Sequence, residues 1–262
     1  MSNTNSAVFE HVEVAGQQLE YYWSRPRASG EPVLVFLHEG LGSAGLWRDF
    51  PAQLGARTGL PALVYSRYGY GGSDVLIDQR TIEYMHREAL EVLPALREAL
   101  GLDDVILVGH SDGGSISLIH AGAGRWLVRG LMLMAPHVFV EDVTIAGIED
   151  AKLAYETTDL PVRIGRRHTD GEATFRGWND IWLNPAFRDW NIESFLPGIA
   201  APVLVLQGEG DEYGSALQLE AIAAQTGGRV EMLLIPDCRH SPQRDQPEVV
   251  LDAMAVFVEK AI

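Results

Sequence analysis

Residues 108–114, Val-Gly-His-Ser-Asp-Gly-Gly, decide the fold of this chain. They fit the pattern G-x-S-x-G around Ser111, directly after an apolar run and directly before a helix-like stretch. A turn this tight between a strand and a helix imposes strained backbone angles on its central residue and leaves room only for small side chains two positions to either side. The pattern therefore predicts that Ser111 is a nucleophile at the edge of a sheet. The alternative is a glycine-rich turn with an incidental serine.

Short apolar runs recur on both sides of this turn. They lack the alternation of a half-exposed strand, so each predicts a strand that is covered on both faces, as in a mainly parallel sheet flanked by helices. The runs lie at residues 33–37, 62–65, 105–108, 131–134, 203–206 and 232–235. Residues 11–23 differ, because their apolar side chains alternate on either side of Gly16 and predict a β-hairpin.

Helical patterns fill the intervals between these runs. From Thr81 to Leu100 the apolar residues recur every three or four positions, which predicts one helix that ends at Gly101. Residues 215–226 and 247–262 are also predicted as helices. The alternation of strand and helix predicts an α/β fold with a mainly parallel, doubly wound sheet.

One interval breaks this alternation. Residues 135–202 separate two predicted strands, and a structureless loop of that length is implausible inside a compact domain. We therefore expect a helical cap, or lid, at residues 137–198, inserted into a core that is formed by residues 1–136 and 199–262. An ordinary pair of crossover helices is the alternative.

Two further loops carry groups that could activate Ser111. A serine hydroxyl is a weak nucleophile at neutral pH and needs an adjacent base. His240 is the candidate because its loop follows the last predicted strand and should reach the same sheet edge as Ser111. Such a base needs an orienting carboxylate. We predict Asp211, after the preceding strand, with Glu209 and Glu212 as alternatives.

Backbone N–H groups near Ser111 are candidates for an oxyanion hole, which would stabilise the negative charge that develops on a substrate oxygen. The N–H of Asp112 stands at a predicted helix N-terminus, which favours an anion. The glycine-containing loop at residues 37–43 follows another strand, and the N–H of Gly40 is the predicted second donor.

Four side chains are candidates for contact with a substrate. Glu39 stands beside the glycine loop, and we hypothesise that it pairs with a cation of the protein or of the substrate. A solvated or locally paired glutamate is the plainer alternative. Phe175, Trp178 and Trp182 are expected to line an apolar pocket under the cap, or else to form the core of the cap.

Together these motifs resemble the α/β-hydrolase superfamily, specifically its compact capped members such as carboxylesterases, carbon–carbon bond hydrolases and proline iminopeptidase-like enzymes. Residues 38–42 are similar to the family's His-Gly-x-Gly loop, and residues 66–73 to its Asp-x-x-Gly-x-Gly-x-Ser turn. The order Ser111, Asp211, His240 along the chain is also that of the family. The resemblance implies a Ser-His-Asp mechanism that uses no cofactor and no metal.

The sequence departs from the family pattern at three positions. Glu39 stands where glycine is common, Ser66 replaces the usual aspartate, and Arg239 replaces a glycine before the candidate base. Two bare carboxylates near an oxyanion would oppose its charge. We therefore expect those of Glu39 and Asp112 to be turned away or neutralised, by Arg67 or Arg239.

Three functions are compatible with these motifs. The first is a serine hydrolase that cleaves a carboxylic ester of a small or medium, partly apolar substrate through an acyl-enzyme. The second is a carbon–carbon bond hydrolase that acts on a ring-cleavage product with the same triad. The third, a non-catalytic ligand-binding protein, is disfavoured by the intact triad.

The composition of the chain limits the kinds of molecule that it is expected to bind. The 262 residues include 20 Lys and Arg against 36 Asp and Glu, a formal charge of −16, and 47% are hydrophobic. This balance excludes wholesale disorder and argues against nucleic acid and anionic membranes as partners. One cysteine allows no internal disulfide, and the first residues show no secretory signal. We therefore expect a cytoplasmic enzyme with a small-molecule substrate, as either a monomer or a homodimer.

Overall fold

The computed structural model describes residues 8–261, which are built around one eight-stranded sheet. The strands are β1 (Glu10–Val14), β2 (Gln17–Trp23), β3 (Val33–Leu37), β4 (Ala62–Tyr65), β5 (Val105–His110), β6 (Gly130–Met134), β7 (Val203–Gly208) and β8 (Val230–Ile235). Their order across the sheet is β1-β2-β4-β3-β5-β6-β7-β8. The first two pairs are antiparallel and the others are parallel. The predicted α/β fold and its edge hairpin are therefore confirmed.

Both faces of the sheet are covered, which explains why its central strands show no alternation of apolar and polar residues. In β3 the side chains of Val33, Val35 and Leu37 belong to one apolar core. Those of Leu34 and Phe36 belong to the other. All five side chains are fully buried. A strand that lies between two cores is apolar at every position.

Helices pack on both faces of the sheet and also form much of the connection between β6 and β7. The α-helices of the described residues are α1 (Phe50–Thr58), α2 (Tyr84–Arg87), α3 (Leu93–Ala99), α4 (Asp112–Gly122), α5 (Asp142–Thr157), α6 (Leu160–Gly165), α7 (Gly171–Trp182), α8 (Leu217–Gln225), α9 (Pro242–Asp245) and α10 (Pro247–Ala261). None of these helices is long and apolar enough to cross a membrane. Helices α8 and α10 lie inside two of the predicted ranges, and Ile262, predicted at the end of the last one, is outside the described residues.

The single helix predicted for residues 81–100 differs from the structure. The helical stretch begins at Tyr84, widens into a π-helical turn at Glu88–Val92 and resumes as α3. Pro94 has no N–H to donate to an earlier carbonyl, and the wide turn lies directly before it. Gly101 follows in the left-handed conformation, with φ +61°, as its position predicted.

Residues 137–198 connect β6 to β7 and are called the inserted segment below. They contain α5, α6 and α7, followed by short 3-10 helices at Pro185–Phe187 and Glu193–Gly198. The segment is therefore largely helical. Its role as a cap, separate from a core on either side, stays a prediction.

Close packing of α4 on β3 leads to a stability prediction. A Cβ atom at Gly113 would overlap the backbone carbonyl of Leu37, which cannot move without shifting the sheet. We expect Gly113→Ala to lower the free energy of unfolding by about 1–3 kcal/mol, the usual cost of overpacking, in chemical denaturation. Gly165→Ala in α6 is the control, because a Cβ there meets nothing within 4 Å. Equal destabilisation by both substitutions would contradict the packing argument.

Candidate active site

Ser111 lies in a strained turn between β5 and α4. Its backbone has φ +52° and ψ −119°, a conformation that costs about 1–3 kcal/mol in a residue other than glycine. Close packing enforces this turn, because a Cβ atom at Gly109 would lie 2.7 Å from the carbonyl carbon of Gly113. The N–H of Ser111 donates to the Met134 carbonyl at 2.9 Å. The strain that the motif predicts is therefore present.

Two loops at the same edge of the sheet bring His240 and Asp211 to Ser111. His240 Nε2 lies 3.0 Å from Ser111 Oγ, and His240 Nδ1 lies 2.8 Å from Asp211 Oδ1. Asp211 Oδ1 also accepts the N–H of Tyr213 at 2.8 Å. Because Nδ1 faces a carboxylate, it carries the proton of the neutral ring. Nε2 is then free to accept the hydroxyl proton of Ser111.

Glu209 and Glu212, the alternatives to Asp211, are not hydrogen-bonded to the imidazole ring of His240. Glu209 is exposed to solvent. Glu212 accepts the backbone N–H of His240 at 3.2 Å and the guanidinium of Arg239 at 3.1 Å. Of the three carboxylates, Asp211 is the one that is hydrogen-bonded to the imidazole ring.

Asp211 and His240 shift each other's pKa. Burial raises the pKa of Asp211, but the charge and hydrogen bond of His240 outweigh it and hold that pKa below its usual value. Burial lowers the pKa of His240, but the Asp211 carboxylate outweighs it and raises that pKa above the usual histidine value. Asp211 therefore stays ionised, and His240 is a stronger base than an ordinary histidine.

His110, inside the serine motif, fixes the loop that carries His240. Its Nε2 donates to the His240 carbonyl at 2.7 Å, and its Nδ1 lies 3.1 Å from Gln243 Nε2. The side chain of His110 is fully buried. No local pattern indicates this role, because the partners of His110 lie about 130 positions away along the chain.

The peptide between Glu39 and Gly40 is held by its carbonyl group. The Glu39 carbonyl accepts hydrogen bonds from His38 Nδ1 at 2.7 Å, Arg67 Nη2 at 3.0 Å and the Gly42 N–H at 3.0 Å. The N–H of a trans peptide points opposite its C=O, so the Gly40 N–H points away from all three donors. Gly40 lines the same cavity as Ser111, which agrees with its predicted role as an oxyanion donor.

Asp112, the other predicted donor, is the first residue of α4, and its carboxylate is neutralised. Asp112 Oδ2 lies 3.5 Å from Arg67 Nη2 and accepts the Tyr84 hydroxyl at 2.8 Å. All three side chains are buried. Arg67 and Arg239 are the two cations predicted to neutralise this carboxylate, and Arg67 is the one that lies beside it.

Glu39 is paired with a cation, but not with either of the two that the sequence suggested. Its carboxylate lies 3.4 Å from Arg244 Nη2 and 3.5 Å from His110 Nδ1. Arg67 contacts only the backbone of Glu39, and Arg239 is turned toward Glu212. Burial raises the pKa of Glu39, but His110 and Arg244 together hold it below its usual value.

A cavity of about 390 Å³ opens over Ser111 and His240. Trp178 and Trp182 line it, as predicted, together with Leu41 and Ile148. Phe175 does not belong to its lining. It stacks on Tyr155 with ring centroids 3.8 Å apart and supports Trp178 from behind.

The cavity also contains polar residues that the sequence did not single out. His137 follows β6 at the carboxyl edge of the sheet, where its position could have identified it, and its Nε2 donates to the Tyr213 carbonyl at 3.0 Å. Arg163 of α6 and Arg244 of α9 line the cavity as well. Residues 8–261 contain no group of three His, Cys, Asp or Glu side chains that could hold a metal ion.

The buried pair of Arg67 and Asp112 leads to a second stability prediction. Arg67→Met leaves the Asp112 carboxylate buried without its cation, which should lower the free energy of unfolding by about 3–5 kcal/mol. Chemical denaturation at pH 7 measures this loss. Arg87→Met is the control, because Arg87 and Glu91 form an exposed pair that should contribute less than about 1 kcal/mol. A loss in Arg67→Met as small as in the control would refute the importance of the buried pair.

Comparisons with known proteins agree with this architecture. A proline iminopeptidase of Saccharolobus solfataricus is 34% identical over 95% of this chain and 92% of its own length. A proline iminopeptidase of Lactobacillus delbrueckii subsp. lactis is 32% identical over 36% of this chain, and the match spans only about a third of that relative's length. The haloalkane dehalogenase DatA of Agrobacterium tumefaciens C58 shares the fold, with TM-score 0.77, 18% identity and 98% coverage of both chains. Residues 34–253 match the profile of the Alpha/beta hydrolase family, and the chain therefore belongs to that family.

Proposed function

We propose that the protein is a serine hydrolase that cleaves carboxylic esters of small or medium, partly apolar substrates. The observation that carries the proposal is the alignment of Ser111, His240 and Asp211, with contacts of 3.0 and 2.8 Å, at the floor of a cavity. A hydroxyl, a base and an orienting carboxylate in this geometry are the parts that acyl transfer needs.

The proposed reaction has two stages. His240 Nε2 takes the proton of Ser111 as Oγ attacks the ester carbonyl, and the N–H groups of Gly40 and Asp112 hold the oxyanion. The protonated His240 then donates to the leaving alcohol, which leaves an acyl group on Ser111. In the second stage His240 deprotonates a water that attacks this acyl group. His240 then returns this proton to Ser111 Oγ as the carboxylic acid is released, which restores both residues.

The cavity supports the size and character of this substrate. Its volume of about 390 Å³ is near the lower end of the range for small-molecule sites. Ile148, Trp178 and Trp182 of the inserted segment form part of its apolar lining, opposite the loops of the sheet. This arrangement supports the prediction that the inserted segment is a cap over the site.

A carbon–carbon bond hydrolase is the second candidate, and Arg163 is the observation that favours it. Arg163 lines the cavity and has no carboxylate partner within residues 8–261. A guanidinium in this position could bind the carboxylate of a ring-cleavage product. The same Ser111 and His240 would then act on a ketone carbonyl instead of an ester.

The relatives named proline iminopeptidase suggest a third candidate reaction, the cleavage of a peptide bond after a free N-terminal proline. Such a substrate brings a cationic imino group, which a carboxylate in the cavity would have to bind. Glu39, Asp112 and Glu212 line the cavity, but their carboxylates already face Arg244, Arg67 and Arg239 respectively. This pairing favours a neutral ester over a cationic peptide terminus.

A substrate panel tests the proposal. Short p-nitrophenyl esters should be hydrolysed with a higher kcat/KM than a vinylogous 1,5-diketone or proline p-nitroanilide. A fluorophosphonate should label the wild type and not Ser111→Ala, and that substitution should lower kcat by at least about 10³-fold. A higher kcat/KM on the diketone or the anilide would overturn the ester assignment. No labelling of the wild type would overturn the serine mechanism and favour a binding protein.

The raised pKa of His240 leads to a prediction about pH. His240 must be unprotonated to act as a base, so kcat/KM should rise with pH, with its midpoint above the ordinary histidine value of about 6.5. Asp211→Asn removes the charge that raises this pKa, so the midpoint should move to lower pH while kcat falls. Glu209→Gln removes an exposed carboxylate from the same loop and should leave the midpoint in place. A midpoint that Asp211→Asn does not move would contradict this assignment.

A further inference from the structure

The indole of Trp178 lies directly against Gly40. Trp178 belongs to α7 of the inserted segment, and its side chain is almost completely buried. A Cβ atom at Gly40 would overlap indole atoms Nε1 and Cδ1, so the edge of the ring that carries the N–H occupies the space that glycine leaves. The inserted segment therefore touches the residue whose backbone N–H is the first proposed oxyanion donor.

The Nε1–H of Trp178 has no acceptor among residues 8–261. Indole N–H is a donor only, and a buried one normally finds an acceptor. Trp182 and Trp190 have an Nε1 that is closed off from solvent and unpartnered among the described residues. Trp178 Nε1 is not closed off in this way, and no acceptor within residues 8–261 contacts it, while its side chain lines the cavity over Ser111.

We propose that the Trp178 Nε1–H is a third donor to the oxyanion, beside the N–H groups of Gly40 and Asp112. This inference rests on the proposed acyl transfer at Ser111. Gly40 and Trp178 both line the cavity over Ser111, and the indole edge that carries the N–H lies against Gly40, so a substrate oxygen held by the Gly40 N–H would lie beside the indole. The carbonyl gains its negative charge only as Ser111 attacks, so a donor here stabilises the transition state more than the bound ester.

The surroundings of Trp178 suit a fixed donor. Phe175 packs edge-on against the indole, with ring centroids 6.0 Å apart, and Phe175 itself stacks on Tyr155 of α5. The N–H edge of the indole lies against Gly40, whose peptide is held by His38 and Arg67. The proposed donor therefore keeps its position before substrate binds, which is the condition for electrostatic stabilisation without reorganisation.

The proposal also explains a role for the inserted segment. Two of the proposed donors come from the loop after β3 and from the start of α4, whereas the third comes from α7, which packs on Gly40. The hole is complete only when α7 is docked on the Gly40 loop. Residue 40 must then be glycine, since any side chain would displace the indole.

Trp178→Phe tests the proposal, because it keeps an aromatic ring and removes the N–H. We expect kcat on a p-nitrophenyl ester to fall about tenfold, less than the roughly 10²–10³-fold loss for a principal oxyanion donor. KM should change less than twofold. The inhibition constant of an alkyl trifluoromethyl ketone, which forms an oxyanion adduct with serine, should rise about tenfold in parallel with the loss in kcat.

Two controls separate the lost donor from a packing defect. Trp190→Phe removes another indole N–H of the inserted segment, outside the cavity lining, and should leave kcat and the ketone inhibition unchanged. Replacing Trp178 by 3-benzothienylalanine exchanges N–H for sulfur in a ring of nearly the same shape. It should reproduce the losses of Trp178→Phe without the thermal destabilisation that a smaller ring can cause.

The outcomes distinguish this proposal from the function on which it rests. If the wild type forms the ketone adduct and the benzothienyl variant keeps wild-type kcat and inhibition, the third donor is refuted while the serine hydrolase stands. A rise in KM with unchanged kcat would likewise refute it, because the indole would then contact only the bound substrate. If the wild type forms no adduct and Ser111 is not labelled by a fluorophosphonate, the proposed function fails and this inference fails with it.

Discussion

The site depends on one buried cation, the guanidinium of Arg67. Its side chain is 2% exposed, and an unpaired charge at this depth would be prohibitively costly. Arg67 Nη2 lies 3.5 Å from the Asp112 carboxylate and donates to the carbonyls of His38 and Glu39, and the ring of Tyr70 lies 4.6 Å from the charged carbon. One charge therefore links the turn after Ser111 to the Gly40 loop. The backbone N–H groups proposed for the oxyanion hole are positioned by a side chain that does not line the cavity.

The turn that carries Arg67 departs from the family pattern at Ser66, and a neighbouring strand compensates for the difference. The family pattern has an aspartate where this chain has Ser66, so the contacts of that carboxylate need another source. Ser66 Oγ donates to Glu20 Oε2 at 2.7 Å and accepts the Ala44 N–H at 2.9 Å. Glu20, from β2, also accepts the Gly72 N–H at 3.0 Å. Glu20 of the edge hairpin therefore supplies a carboxylate in place of the one that the family pattern has in the turn. Its hydrogen bonds hold the turn that carries Arg67.

The sequence predicts those parts of the site that depend on local pattern and chain order. The strained turn at Ser111 is fixed by glycines within two positions, and the loops of Asp211 and His240 follow strands that an apolar run identifies. The contacts of Glu39 were not predictable in this way. Arg244 lies 205 positions from Glu39 along the chain. A local sequence pattern does not relate residues that are so far apart. The docking of Trp178 on Gly40 likewise depends on how the inserted segment packs, which propensity and periodicity do not encode.

The pairing of charges at the site bears on how the net negative charge of the chain affects the proposed oxyanion hole. A net charge of −16 would oppose an oxyanion if the carboxylates near Ser111 were bare. Instead, those that line the cavity are paired with arginines from other parts of the chain, while Asp211 is paired with His240. The excess negative charge is therefore left to the surface, where solvent screens it and it favours solubility. In the proposed reaction, negative charge that develops on a substrate oxygen would therefore meet N–H dipoles among paired charges, and this balance would allow an acidic protein to stabilise an anion.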